Sequence, residues 1–273
     1  MKEHMCRAGM LLVVVAFFAT GCVTNPATQK RELSLISEDQ EIALGKQAAP
    51  DFEKEFGGKV PNEALQQYVK SVGAKMATVS DRRMPYEYAL LASDVPNAFA
   101  LPAGKVYVTA GLMKMMTNER QLASVLGHET AHIAAKHSVA GIQRQMGAEV
   151  LVEIAGYAMG AQGENAAKVA QLATNMVNLK YSRNDEYEAD KYGIEYMTRA
   201  GYNPWGMVEL LTALNGLDQS KPGLLTEMFQ THPLTPKRIE EAQGIVQSEH
   251  PTANRAEVDA AAGQFLQMKA LLK

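Results

Sequence analysis

The sequence predicts a mainly α-helical α+β fold that contains one small sheet. Aromatic residues make up only 7% of the 273 residues, while alanine, glutamine and methionine are common. Helix-capping and proline signals recur along most of the chain, and strand-forming runs are confined to residues 86–109. The length suits one large domain or two small ones, and we expect a single domain over residues 37–273. The net charge of −3, without a basic excess, argues against a nucleic-acid partner.

Two helices are expected before the sheet. Ser37 followed by Gln40 matches a capping box, so a helix should run from there to about Ala49. Pro61 opens a second helix that runs to about Ala77, because proline is tolerated in the first turn of a helix. The apolar positions of this second helix recur on one face, at Leu65, Tyr68, Val69, Val72 and Met76.

The sheet is predicted from three short runs. Residues 86–91 are rich in strand formers, and residues 97–101 and 105–109 are extended runs separated by the turn Pro102-Ala103-Gly104. Proline cannot donate to a strand ladder, so at least one of these runs should lie at a sheet edge. We expect an antiparallel sheet of three or more strands, packed on the helix that follows.

Helices are expected over the rest of the chain. Asn118 with Gln121 starts a long helix that should run to about Met146. Residues 147–163 predict an ordinary helix, because their acidic residues argue against a membrane re-entry, and residues 166–179 predict another. N-cap signals open further helices at Ser182, Asn203 and Thr235, and a final amphipathic helix is expected at about 256–272.

The long helix carries the pattern H-E-x-x-H. His128 and His132 are four residues apart, so both imidazoles lie on one helix face and can bind a single Zn²⁺. Glu129 lies beside that face, where it can take a proton from a metal-bound water. The alternative is an amphipathic helix with two surface histidines. The apolar residues on both sides of the motif argue against it, because a buried imidazole pair beside a carboxylate is costly without a partner.

A third ligand is expected from the helix that Ser182 caps. On that helix Glu186 and Asp190 are one turn apart and share a face, whereas Glu188 points away from them. Glu186 could bind the metal while Asp190 accepts the N–H of a ligand histidine and so fixes its tautomer. The alternative is that this acidic segment is a solvated helix face.

The two motifs together resemble a known family of metallopeptidases. The chain is similar to the gluzincin family that includes the HtpX-like proteases and the CAAX prenyl endopeptidases, over about residues 35–245. That family pairs H-E-x-x-H with S-R-x-x-E-x-x-A-D, which here fits Ser182, Arg183, Glu186, Ala189 and Asp190. The resemblance implies a gluzincin-like domain with one zinc per chain, bound by His128, His132 and Glu186, and with Glu129 as the catalytic base.

Other parts of the family pattern are also present. The run Asn97-Ala98-Phe99-Ala100 resembles the family's edge strand beside the active site, which implies that it binds the substrate main chain. His232 and Arg238 resemble an H-P-x-x-x-x-R element. His232 is therefore a candidate catalytic residue, either as a transient fourth ligand or as a donor to the tetrahedral intermediate; the alternative is an ordinary loop histidine. His137, five residues past His132, is expected to pack at the helix end.

The N-terminus resembles that of an exported lipoprotein. An apolar run of about 13 residues follows Lys2 and Arg7; it is too short to span a bilayer and suits a signal peptide, although an uncut anchor is the alternative. Ala19-Thr20-Gly21-Cys22 resembles the bacterial lipobox. We expect a signal peptide over residues 1–21, lipid on Cys22 and a polar tether over residues 22–36. Val23, where an aspartate would signal retention in the inner membrane, points to the outer membrane.

The resemblance implies a zinc metalloendopeptidase in the periplasm, lipid-anchored and acting on unfolded or misassembled envelope proteins in quality control. Two other hypotheses stay open. One is a chaperone-like factor for outer-membrane-protein assembly with a latent zinc site. The other is a structural lipoprotein without catalytic activity, which would not be expected to bind one zinc per chain.

Overall fold

The computed structural model describes residues 22–147, 176–257 and 261–272, and it has the mainly α-helical α+β fold expected from the sequence. Residues 1–21, with the predicted signal peptide, and most of the helices predicted at 147–163 and 166–179 lie outside the described residues. Within the described ranges, no helix has both the length and the apolar character needed to cross a membrane.

Five strands and ten helices are found in the described residues. The strands are β1 (Cys22–Thr24), β2 (Arg31–Leu33), β3 (Glu87–Leu91), β4 (Ala98–Leu101) and β5 (Lys105–Thr109). The helices are α1 (Glu38–Glu55), α2 (Glu63–Val79), α3 (Ala110–Met115), α4 (Glu119–Ala134), α5 (His137–Met146), α6 (Arg183–Arg199), α7 (Trp205–Ser220), α8 (Thr226–Thr231), α9 (Pro236–Glu249) and α10 (Ala262–Lys269).

Side-chain caps begin several helices where the sequence places them. Ser37 and Gln40 form the predicted capping box at the start of α1. The second helix begins slightly later than predicted, because Asn62 and not Pro61 caps it, accepting a hydrogen bond from the N–H of Leu65. The N-caps of α4, α6 and α9 are Asn118, Ser182 and Thr235. The Ser182 cap fixes which face of α6 carries its acidic residues.

The three-stranded sheet has the order β3-β5-β4, so β4 is an edge strand. The β4–β5 pair is antiparallel, as predicted, but β3 runs parallel to β5, and the expectation of a purely antiparallel sheet is wrong there. The chain leaves β3, passes beyond the position of β5 to form β4, and returns as the central strand through the turn at Pro102–Gly104. The outer edge of β3 is covered by Gln66, whose amide bonds both the N–H and the C=O of Leu90.

The helix predicted over residues 118–146 is two helices. α4 ends at Ala134, and Lys136 has left-handed backbone geometry with a φ of 56° before α5 begins at His137. Such a φ is uncommon for residues other than glycine, so nothing in the local sequence predicts the break. The break redirects the chain. His137 would lie off the metal face of one continuous helix, but after the break it lies next to His132.

Distant side chains bond the last carbonyls of α4. Arg82 donates from Nη1 to the carbonyl oxygen of Ile133 over 3.1 Å, and Asn25 donates from Nδ2 to that of Ala135 over 2.8 Å. Helix ends leave such carbonyls without intrahelical partners, so these bonds stabilise the end of α4. The two donors lie 51 and 110 residues from their acceptors in the chain, which explains why the local sequence does not reveal them.

Residues 22–33 form a hairpin that packs on the domain, where the sequence predicted a polar tether. Strands β1 and β2 pair in antiparallel fashion, and the turn residue Asn25 is buried against the end of α4. Lys30 forms an ion pair of 2.7 Å with Glu188 on α6. These residues therefore pack against the domain, because the side chains of Asn25 and Lys30 bond groups at the end of α4 and on α6.

Helix α4 lies at the centre of the domain. Each of its sixteen residues is buried, among helices α2, α6 and α7 and strand β4. It approaches α6 closely at two glycines, since a Cβ on Gly193 would lie only 3.0 Å from the backbone nitrogen of His128, and one on Gly127 only 3.0 Å from the carbonyl oxygen of Gly193. The contact places the acidic face of α6 directly against the histidine face of α4.

We predict that Gly193→Val lowers the free energy of unfolding by about 1–3 kcal/mol, because the added carbons overpack the contact between α4 and α6. Gly216→Val is the matched control, since a Cβ at this glycine of α7 meets no atom within 4 Å outside its own helix. The control should be neutral or slightly stabilising. Urea denaturation followed by circular dichroism measures both, and equal stabilities would contradict a tight helix contact.

Candidate metal centre

Four buried side chains meet between α4 and α6: His128 and His132 from α4, Glu186 from α6 and His232 at the end of α8. Each offers a ligand atom, and these atoms all lie within 4.8 Å of one another. His128 Nε2 is 3.0 Å from His132 Nε2, and the Glu186 carboxylate oxygens lie 3.6 Å and 3.3 Å from those two nitrogens. At metal–nitrogen distances of 2.0–2.1 Å, tetrahedral zinc ligands are roughly 3.3 Å apart, so these separations fit one ion.

The catalytic candidate Glu129 lies at the same place. It is fully buried, its Oε1 is 3.8 Å from His232 Nε2, and its Oε2 has no hydrogen-bond partner among the described residues. A buried carboxylate oxygen without a partner is costly. A water held beside the three converging ligands would satisfy it, so the residues present fit a metal-bound water as well as the metal itself.

Burial and charge put the ligands in the protonation states that a cation requires. Burial lowers the pKa of His132 well below its usual value and so favours the neutral imidazole. Burial opposes ionisation of Glu186, but the charge of Arg238, with contributions from His232 and His132, outweighs it and holds the pKa of Glu186 well below its usual value. Metal ligands must be deprotonated, and both groups are in that state near neutral pH.

Burial has the opposite net effect on Glu129. Burial raises the pKa of this carboxyl, and the nearby His232 and His128 offset only part of the rise. A carboxylate with a raised pKa is a stronger base than an ordinary surface glutamate. Two glutamates in one site therefore differ in character, one stabilised as an anion and one suited to take up a proton.

An ionic network holds the other nitrogen of His128. Asp190 Oδ1 lies 2.9 Å from His128 Nδ1, and Arg238 donates from Nε and Nη2 to the two Asp190 oxygens, both over 2.7 Å. Arg238 Nη1 also contacts Glu186 Oε2 at 2.5 Å. Burial opposes ionisation of Asp190, but the charge and hydrogen bonds of Arg238, together with His128, outweigh it and lower the pKa of Asp190. The Arg238 guanidinium thus contacts the candidate ligand Glu186 and also Asp190, the carboxylate that holds the candidate ligand His128.

His232 faces both glutamates of the site. Its Nδ1 is 3.0 Å from Glu186 Oε1, and the charges of Glu186 and Glu129 outweigh burial and raise its pKa. Its position within the ligand cluster is compatible with binding the metal or with donating to a substrate. The structure does not place it as an exposed loop histidine, since it is only 4% exposed.

The predicted substrate strand lies beside α4, and two of its outward main-chain groups are already bonded. The N–H of Ala98 donates to Asn97 Oδ1 over 2.9 Å, and the carbonyl of Ala100 accepts from Ser138 Oγ over 2.6 Å and from Tyr181 OH over 3.3 Å. The side chain of Phe99 packs into an apolar cluster that includes Phe52 and Tyr107. A substrate beside this strand would therefore meet its main chain and the small side chain of Ala98, which borders the neighbouring cavity.

An apolar cavity opens next to the metal-ligand cluster. Its empty space, part of which is open to solvent, is about 420 Å³, and it is bordered by His128 and Glu129. Its other walls are mostly aliphatic, with Val125, Met207, Leu210, Leu211, Leu214 and Leu234 among them. A cavity of this kind beside a reacting centre suits an apolar side chain of a bound peptide.

Three residues near the centre were missed or misjudged from the sequence. His137 was expected to pack at a helix end, but its Nδ1 lies 3.0 Å from His132 Nδ1 and its Nε2 lies 3.3 Å from Glu188 Oε2. Glu188 was expected to point away from Glu186 and Asp190, but its contact with His137 was missed, and the hydrogen bond from His137 lowers the pKa of Glu188 to about 2. Tyr181 stacks on the His132 ring with centroids 3.9 Å apart. Its position directly before the Ser182 cap was the only sequence signal for it.

Two helices supplying an H-E-x-x-H face and a distant glutamate define the class of protein as a metallopeptidase. A family model described as peptidase family M48 matches residues 63–246. The chain belongs to peptidase family M48, and the family resemblance expected from the sequence is confirmed.

Several characterised proteins are similar to the chain. It is 30% identical over 235 residues to the beta-barrel assembly-enhancing protease of Yersinia pestis, covering 80% of this chain and 47% of that protein. It is 30% identical over 221 residues to the mitochondrial metalloendopeptidase OMA1 of Schizosaccharomyces pombe, covering 78% and 63%. It is 26% identical over 242 residues to the metalloprotease LoiP of Escherichia coli K12, covering 86% and 94%. The chain spans about half the length of the beta-barrel assembly-enhancing proteases it matches.

We predict that Asp190→Asn weakens zinc binding by about 10–100-fold, because the amide cannot hold the His128 imidazole as the carboxylate does. Glu195→Gln is the matched control, since Glu195 is a half-buried residue of the same helix that pairs with Arg199 and lies outside the metal-ligand cluster. Competition with a chromophoric chelator measures both affinities. Unchanged affinity in Asp190→Asn, with the control also unchanged, would contradict this role.

Proposed function

We propose that the protein is a zinc metalloendopeptidase that hydrolyses peptide bonds of unfolded or misassembled envelope proteins. The observation that carries the proposal is the convergence of His128, His132 and Glu186 beside the unpartnered oxygen of Glu129. Neutral imidazoles and one ionised carboxylate suit zinc, and a general base next to an open ligand position suits hydrolysis.

The residues divide the reaction between them. When bound, zinc would lower the pKa of its water and polarise the peptide carbonyl. Glu129 takes the proton from the attacking water and delivers it to the leaving amine nitrogen, which its raised pKa favours. Asp190 and Arg238 keep His128 and Glu186 in place throughout. The aliphatic cavity accepts an apolar side chain next to the cleaved bond.

An extended substrate suits this site. Strand β4 is an edge strand, so a peptide that adds to it would bond backbone to backbone. Pairing of this kind recognises the main chain and not a particular sequence. It therefore favours chains without stable structure, and folded proteins would be poor substrates.

The cellular assignment is also part of this proposal. We infer a lipid on Cys22 and a periplasmic location at the outer membrane from the lipobox-like residues that precede it. The names of the bacterial relatives, which include beta-barrel assembly-enhancing proteases, support a role in the cell envelope. A docked hairpin directly after Cys22 would hold the domain close to the membrane surface.

The second candidate is a chaperone-like assembly factor for outer-membrane proteins, with a latent zinc site. Two contacts favour it. The carbonyl of Ala100 on the edge strand is already bonded by Ser138 and Tyr181, and His232 lies inside the ligand cluster. A site in this closed arrangement would bind unfolded chains elsewhere and cleave rarely.

Glu129→Gln separates the two candidates. We expect it to lower casein cleavage by the purified protein by at least about 100-fold, because the amide cannot accept the water proton, while one zinc per chain is retained. A chelator should abolish cleavage by the unaltered protein, and Glu195→Gln should cleave normally. If cells that carry Glu129→Gln assemble outer-membrane proteins as well as cells that carry the unaltered protein, and cells that lack the protein do not, the chaperone candidate is supported. Chelator-resistant cleavage would contradict a metal mechanism.

His232→Ala tests the two roles predicted for His232. Because its ring lies within the ligand cluster, we expect it to act as a fourth ligand that blocks the water position. Its removal should then weaken zinc binding and increase the rate of casein cleavage. A fall in kcat with unchanged zinc affinity would instead identify a donor to the tetrahedral intermediate. Steady-state kinetics and chelator competition on the same preparation give both values.

A further inference from the structure

A line of hydrogen bonds runs from His132 to the protein surface. His132 Nδ1 lies 3.0 Å from His137 Nδ1, and His137 Nε2 lies 3.3 Å from Glu188 Oε2. The other oxygen of Glu188 accepts from Lys30 Nζ over 2.7 Å. Lys30 belongs to the hairpin of residues 22–33, so the line joins the metal centre to the N-terminal segment of the domain.

Only one placement of protons satisfies every contact in this line while His132 binds a metal. His132 Nε2 faces the other ligands, so this atom must carry a lone pair and Nδ1 must carry the proton. That proton points at His137 Nδ1, which accepts it and so leaves the proton of His137 on Nε2. His137 Nε2 then donates to Glu188. The opposite order would protonate His132 Nε2 and prevent metal binding.

The fold supports the line at two points. The left-handed turn at Lys136 breaks the helix and returns His137 toward His132. The hairpin residue Asn25 bonds the carbonyl of Ala135 in the same break, while Lys30 bonds Glu188. The hairpin therefore holds both the backbone and the carboxylate that position His137.

We propose that His137 and Glu188 are positioning residues that set the metal-binding tautomer of His132, and that the hairpin stabilises them through Lys30. The inference rests on the metal site of the proposed function and adds residues to it. His132 then has its own support, as His128 has Asp190 and Arg238. Hydrogen bonds of this kind to a ligand histidine fix its ring and raise its basicity.

The alternative is that His137 only fills space at the start of α5. His137→Phe distinguishes the two, because the phenyl ring keeps most of the volume and removes both hydrogen bonds. His137→Asn retains an acceptor close to the position of Nδ1 but does not reach Glu188. A packing role predicts that phenylalanine is tolerated better than asparagine, and a positioning role predicts the reverse order for metal binding.

The test measures metal affinity and not only activity. Zn²⁺ and Co²⁺ dissociation constants are determined for the full chain by chelator competition, with Co²⁺ absorption spectra and thermal unfolding of the metal-free protein. We expect His137→Phe to weaken metal binding by about 10–100-fold and to alter the Co²⁺ spectrum, and His137→Asn to recover part of the loss. Wild-type affinity in His137→Phe, or weaker binding by His137→Asn than by His137→Phe, would overturn the proposal.

Variants of Glu188 and Lys30 test the proposal without a substitution at His137, which could itself impair folding. Glu188→Gln should weaken metal binding relative to Glu195→Gln on the same helix. Lys30→Met should weaken it less, relative to Lys237→Met, which removes a comparably exposed ion pair with Glu241. If Glu188→Gln binds metal as tightly as Glu195→Gln, the role of Glu188 is overturned. If Lys30→Met binds metal as tightly as Lys237→Met, the role of Lys30 is overturned.

Failure of this proposal is distinct from failure of the proposed function. A wild-type protein that binds no zinc would overturn the metallopeptidase assignment and this proposal with it. A wild-type protein that binds one zinc and cleaves casein, beside a His137→Phe protein with equal affinity, would overturn only the positioning role.

Discussion

The close contact between α4 and α6 is the constraint on which the rest of the site depends. Gly127 and Gly193 face each other there, and a side chain on either would meet backbone atoms at about 3.0 Å. The contact brings two sequence motifs together that lie more than fifty residues apart. The facing surfaces of the two helices are buried, so every polar group on them needs a partner in the protein, a bound ion or a bound water.

With Glu129 ionised and the histidines neutral, the buried charges of the site balance when one divalent cation is included. Glu129, Glu186 and Asp190 bring three negative charges when ionised, and Arg238 brings one positive charge, which leaves two negative charges beside neutral histidines. One divalent ion balances them. Burial raises the pKa of Glu129, and the charges of Glu186 and Glu129 raise the pKa of His232 against the effect of burial, so both groups bind protons more readily than usual. The same residues are therefore suited to exchange protons when the metal and its water are present.

The sequence reveals those parts of the site that depend on local geometry. The spacing of His128 and His132 places both on one helix face, and the Ser182 cap fixes the register of Glu186 and Asp190 on the next. It does not reveal the parts that depend on distant partners. The helix break at Lys136 has a left-handed residue other than glycine, and the carbonyls it leaves are bonded by side chains far away in the chain. The position predicted for His137 is wrong for this reason, because it assumes one helix that continues past Lys136.

The sheet shows the same division between local and distant causes. The turn before β5 predicts the β4–β5 hairpin, but the parallel pairing of β3 follows from the path of the chain around the central strand. That path makes β4 an edge strand and turns its outer carbonyl at Ala100 toward Ser138 and Tyr181. A peptide that paired with β4 at Ala100 would have to replace these contacts with its own, and each exchanged hydrogen bond would change the net free energy by only about 0.5–1.5 kcal/mol. Tyr181 also stacks on His132, so a single side chain contacts both the edge strand and a candidate metal ligand.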